Sequence, residues 1–178
     1  MLRLALSVLL LGAALPAAAQ EADPADVGSV DAILTAVYDV ISGPASAERD
    51  WGRFRSLLHP DARLTPVGPR PDSTWGVRIL SVDAYVELAS PSFRSIPGGG
   101  VRGFYETERA RRTERYDHIA HVWSTYESRY APDEAPFQRG INTFQLVHDG
   151  TRWWVMSILW QGETSGAPIP APYLPEGG

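Results

Sequence analysis

The sequence predicts a single α+β domain in which helices come first and a meander of antiparallel strands follows. Apolar residues recur at helical spacing only in the first half, most clearly at Val30, Ile33, Leu34, Val37 and Ile41. From Phe104 onward the chain breaks into strand-length runs rich in aromatic and β-branched residues, which suit a pleated surface. Residues 141–163, INTFQLVHDGTRWWVMSILWQGE, set two long apolar runs around Asp149-Gly150, a strong hairpin signal. The second run, 153–160, has almost no polar interruption, so both faces of that strand are expected to be covered.

The chain has 178 residues, enough for one domain. Met1-Leu2-Arg3, the apolar stretch 4–14 and Ala17-Ala18-Ala19 together read as a secretory signal peptide cleaved after Ala19. The expected organisation is a leader over 1–19, a domain over 20–165 and a Pro/Gly-rich tail over 166–178, with the mature protein periplasmic or secreted. There is no Cys, so neither a disulfide nor a lipid thioether can form. The formal net charge is −5, and loss of Arg3 with the leader makes it one unit more negative. That balance argues against a nucleic-acid or anionic-membrane partner. Every basic side chain other than His is Arg, which removes any lysine Schiff-base mechanism.

Residues 20–28 are polar and read as a loose leader. Ser29 caps the first helix, with Asp31 favouring its dipole and Tyr38 beside the apolar stripe, and Gly43-Pro44 ends it. Asp50 caps a short second helix carrying Trp51, Phe54, Leu57 and Leu58. Residues 61–68 read as a short strand broken by Pro66, hence an edge or a bulge. Residues 69–76 are a loop, and Ser81 caps a third helix with Val82, Tyr85, Val86 and Leu88 along one side. Residues 91–100 form a flexible connection. Its Gly98-Gly99-Gly100 lacks the spacing of a phosphate loop. A charged strand from Phe104 to Arg115, a turn at Tyr116-Asp117 and a returning strand to Tyr130 precede the hairpin. Helices on one face of a curved sheet enclose a pocket suited to small ligands.

That order, with Tyr38 on the first helix and D-W-x-x-F-x-x-L-L-H-P-D-A-R-L over 50–64, resembles the nuclear transport factor 2-like superfamily, which includes SnoaL-like polyketide cyclases and ketosteroid isomerases. The likeness covers roughly 29–163, and the segment 140–163 looks most like an uncharacterised, exported branch. It implies a cystatin-like cone: a curved antiparallel sheet packed against three N-terminal helices. By position it matches Tyr38 and Asn142 to the two hydrogen-bond donors with which ketosteroid isomerases hold a developing oxyanion. Thr65 falls where those enzymes carry their base, and a threonine is no base at neutral pH. The resemblance also implies a homodimer paired through the convex face of the sheet.

A three-residue loop 149–151 would pair His148 with Arg152 and put Asn142, Phe144, Leu146, Trp154, Met156, Ile158 and Trp160 on one face. By resemblance that face is concave, with Phe144, Met156 and Trp160 as pocket walls and Tyr38 and Asn142 as polar anchors for a small hydrophobic molecule bearing a carbonyl. His121 is the best candidate for a proton-transfer group, read alternatively as a hydrogen-bonded structural histidine. Tyr38 is equally open to reading as an ordinary helix tyrosine. The charged strand, with Glu106, Glu108, Arg109 and Arg111, is expected to form cross-strand ion pairs on a solvated face, with Glu127 holding one Arg. Four scattered histidines make no metal site, and no cofactor fingerprint is present. The expected function is small-molecule binding without a cofactor, or a lyase, isomerase or cyclase reaction on a small carbonyl compound with His121 as base.

Overall fold

The computed structural model describes residues 21–92 and 102–175. The expected leader with its cleavage site after Ala19, the triglycine 98–100 and the last three residues lie outside the described residues.

The helices form where local chemistry asks for them. A one-turn helix α1, Pro24–Val27, is capped by Asp23 and occupies what the sequence suggested was a loose leader. Helix α2, Val30–Ile41, starts at Ser29, whose hydroxyl accepts from the Ala32 N–H at 3.0 Å. It buries the stripe Ile33, Leu34, Val37, Tyr38 and Ile41. Helix α3, Trp51–Leu57, is capped by Asp50, and its Arg53 ties α1 down through Asp26 at 2.7 Å. Helix α4, Val82–Ser92, is capped by the Ser81 hydroxyl.

Six strands form one sheet in the order β2-β1-β6-β5-β4-β3. They are β1 Leu58–Pro69, β2 Trp75–Val77, β3 Tyr105–Tyr116, β4 Ile119–Arg129, β5 Gln138–His148 and β6 Trp153–Gly162. The sheet is mixed rather than purely antiparallel, because β1 runs parallel to β6, with Leu64 opposite Ile158 and Pro66 opposite Trp160. The short strand β2 falls partly in a stretch expected to be loop, and it takes the edge beside residues 67–69 of β1. Pro66 sits just before that pairing, opposite Arg78, and makes one half of a ladder pair: its carbonyl accepts from the Arg78 N–H at 3.2 Å, and its ring nitrogen has no proton to return. The fold is thus the expected α+β cone, with the helices against the concave face and residues such as Leu34, Phe54, Val122 and Phe144 meeting in a common core.

Two bulges set which side chains face that core. In β6 the pairs Gln145–Ser157 and Leu146–Val155 leave Met156 as the extra residue. The connection before it has four residues, with His148 opposite Trp153 and Gly150 in the left-handed region (φ 101°). Beyond the bulge the inward residues are therefore Trp153 and Val155, and Trp154 and Met156 turn outward. In β3 the register shifts between Glu108 and Ala110. Glu106 pairs with Ser128 and Glu108 with Tyr126, so both glutamates face inward.

The tail is part of the fold. The Ile169 N–H donates to Glu163 Oε1 at 2.9 Å, the Thr125 hydroxyl donates to the Tyr173 carbonyl, and the Tyr173 ring lies 5.2 Å from that of Trp123. Residues 163–173 thereby cross the convex side of β4, where the sequence showed no pattern.

Candidate functional site

Between α2, α3, α4 and the concave sheet lies a cavity of about 250 Å³. Its depth is apolar, walled by Phe54, Leu64, Phe144 and Ile158. Phe54 stacks on Tyr85 with ring centroids 5.3 Å apart, and Tyr85 meets the Trp160 ring edge-on at 6.0 Å. Gly140 makes room beside the Tyr126 ring: a Cβ there would lie 2.5 Å from the Tyr126 hydroxyl oxygen.

The polar end of the cavity is Glu106. Its carboxyl accepts from the Ser128 hydroxyl at 2.9 Å on one oxygen and from Asn142 Nδ2 at 3.2 Å on the other. Among the described residues no cation pairs with it. Burial pushes its pKa up from 4.5 to about 7, against the pull of the two hydrogen bonds, which favour the ionised form. Glu106 is enclosed by protein yet borders the cavity, so what enters the cavity meets it. The neighbouring Glu108 has the opposite circumstance. It is paired with Arg111, which also reaches Asp31.

Tyr38 and Asn142 stand together as expected, but their donors are turned on protein partners. Asn142 Nδ2 donates to the Tyr38 hydroxyl at 3.0 Å as well as to Glu106. The Tyr38 hydroxyl lies 2.6 Å from Ser124 Oγ, and Ser124 donates onward to Glu108. Ser124 has one proton, so the Tyr38 hydroxyl donates to it. Burial, and then the charge of Glu106, hold the Tyr38 phenol above its ordinary range, so it stays neutral. The same two causes raise Tyr85 and Tyr126. Neither of those hydroxyls bonds to another described residue, and both border the cavity.

Of the remaining expected wall residues, Phe144 and Trp160 line the cavity and Met156 does not, because the bulge that it forms turns it outward. His121 is not at the site. It sits on the convex face of β4 opposite Gln145, whose side-chain amide contacts its Nδ1, with Trp123 at 5.5 Å. It cannot reach the space between Tyr38 and Asn142. Thr65 also faces away, opposite Leu159, while Leu64 takes the cavity side. The group missed from sequence is Glu106, placed with the solvated charges of β3. The expected hold of Glu127 on an Arg is present, at 3.3 Å from Arg109 and 2.5 Å from Arg129. Among the described residues no cluster of ligating side chains could hold a metal.

A curved sheet closed by helices around an apolar cavity defines the cystatin-like class of α+β folds. A protein of unknown function with a cystatin-like fold from Nostoc punctiforme PCC 73102 aligns over 76% of this chain and 90% of its own, at 10% identity and a TM-score of 0.57. A domain of unknown function with that fold, from the same organism, covers 78% of this chain and 77% of its own at 8% identity and 0.54. An NTF2-like protein of unknown function from Shewanella baltica OS155 aligns over 77% and 98% at 13% identity and 0.48. The first two establish the fold, which is the one that the nuclear transport factor 2-like resemblance implied. No family model and no curated protein matches the sequence.

Proposed function

We propose that this protein binds a small, largely apolar molecule in the helix–sheet cavity, with the polar end of the ligand against Glu106. The observation that carries this is a carboxyl with no cationic partner among the described residues, set at one end of a largely apolar enclosure. A carboxyl with a pKa near neutrality is also suited to move a proton, so a cofactor-free proton-transfer reaction on the bound molecule is the catalytic form of the same reading. Glu106, and not His121 on the convex face, is the group placed to move that proton. Tyr38 and Asn142 act as positioning residues, because their donors hold Glu106, Ser124 and each other.

Two further elements of the proposal rest on sequence: export after cleavage at Ala19, and pairing of two copies through the part of the convex face that the tail leaves open, around Leu159 (41% exposed). Native mass spectrometry of the protein from its own host tests the binding. A small molecule should be retained and should be lost on Ala89→Trp, which fills the cavity wall. A protein that carries none, and whose NMR spectrum responds to no small apolar compound, would refute it.

A further inference from the structure

We propose that the molecule taken up is an organic cation, a primary ammonium borne on a small apolar ring or chain, with Glu106 as its counter-ion. This rests on the reading of the cavity as a ligand site and adds the chemical class.

The charges come first. Two glutamates face inward from β3, and among the described residues one of them, Glu108, has a cationic partner. Glu108 has Arg111, whereas Glu106 has two neutral donors and no cation among the described residues. None of the described residues lining the cavity is basic. An anionic ligand would meet unopposed repulsion, and a neutral one would leave Glu106 uncompensated. An ammonium supplies the cationic partner that Glu106 lacks among the described residues. Each carboxylate oxygen holds one donor already, which leaves lone pairs free for a third and a fourth N–H.

The walls point the same way. Tyr38, Tyr85, Tyr126, Phe104 and Trp160 surround the cavity, and aromatic faces attract cations, most strongly where water is excluded. The hydroxyl oxygens of Tyr85 and Tyr126 are open to accept from an ammonium N–H. Beyond the polar end, Phe54, Phe144 and Ile158 offer an apolar seat for the rest of the molecule. The volume, about 250 Å³, equals that of roughly eight waters at liquid density, which suits one ring with a short chain. The net charge of −5 draws cations toward the protein from a distance.

The test uses three matched probes: 2-phenylethylamine, 2-phenylethanol and 4-phenylbutan-2-one. Binding is read by calorimetry and by NMR on the full chain and on Glu106→Gln. The amine is expected to bind best, and its affinity to rise about tenfold from pH 6 to pH 8, because only ionised Glu106 pairs with it. Near pH 7, calorimetry in two buffers should show about half a proton released per amine bound. Glu106→Gln should abolish both the preference and the pH dependence without unfolding the protein. If the alcohol or the ketone binds as well as the amine, or Glu106→Gln leaves the amine unaffected, the cation assignment is overturned and the cavity still stands as a ligand site. If all three fail at millimolar concentration while other apolar compounds bind, the assignment falls alone. If nothing binds, the ligand-site reading falls with it.

Discussion

Replacing Glu106 by Gln should remove a pH-dependent instability. The folded protein holds the Glu106 proton up to about pH 7, whereas the unfolded chain releases it near 4.5. Between those values the native state binds one more proton than the unfolded state, so stability falls as pH rises. Below the lower value the contribution is fully present, and above the upper one it is lost. The slope is about 1.4 kcal/mol per pH unit, which sets a ceiling of about 3 kcal/mol across the window; water in the cavity reduces it. Gln fits the same partners: its carbonyl accepts from Asn142 and its amide donates to the Ser128 oxygen. Urea denaturation of both proteins between pH 4 and 9 isolates the effect as a difference, since every other titrating group cancels. The variant should gain on the wild type as pH rises from about 4.5 to 7 and hold that gain above it. A flat difference curve would show that Glu106 titrates as an ordinary carboxyl, and the electrostatic account of the cavity would fail.

Ser128→Ala removes a hydrogen bond that favours ionised Glu106, so the midpoint of that difference curve should move to higher pH, measured in the same titration. Tyr38→Phe strips a hydroxyl that joins Asn142 to Ser124, and should cost about 1–2 kcal/mol by urea denaturation, since two buried groups lose a partner. Val155→Ala should cost about 2 kcal/mol and Met156→Ala under about 1 kcal/mol; equal costs would contradict the bulge. Gly140→Ala forces a Cβ to within 2.4 Å of the Gln161 carbonyl and 2.5 Å of the Tyr126 hydroxyl. It should lower the melting temperature and shift the Tyr126 ring resonances.

Much of the framework was legible because it depends on local chemistry. Ser29, Asp50 and Ser81 cap helices where their side chains imply, and the stripe from Ile33 to Ile41 is buried as its spacing requires. Tyr38 and Asn142 were found by position and do meet. The site's ionisable group was hidden by a single residue. Counting back from the Tyr116–Ile119 pair without a bulge sets Glu106 opposite Arg129, on the face shared with His121 and Glu127. The shift between Glu108 and Ala110 moves it opposite Ser128 and turns it inward. Met156 was misplaced for the same reason, because a bulge in β6 reverses alternation that runs true at Ile158 and Trp160. Bulges carry no strong composition signal, and pairing period two makes each one invert everything beyond it. The tail went unread because its hold on the sheet comes from Ile169, Tyr173 and backbone groups rather than from any repeat.

The place of β6 has a consequence for how the chain acquires this shape. It follows every other strand in the sequence yet lies between β1 and β5 in the sheet. Until residues 153–162 are available, β1 and β2 have no sheet to join and β5 presents an open edge. Joining Leu64 to Ile158 closes a loop of about 90 residues, a slow and entropically costly step that local helix formation does not shorten. Both residues wall the cavity. The enclosure around Glu106 therefore closes only when β6 is in place, and a chain halted before β6 lacks the Ile158 and Trp160 wall and has no sheet for Leu64 to join.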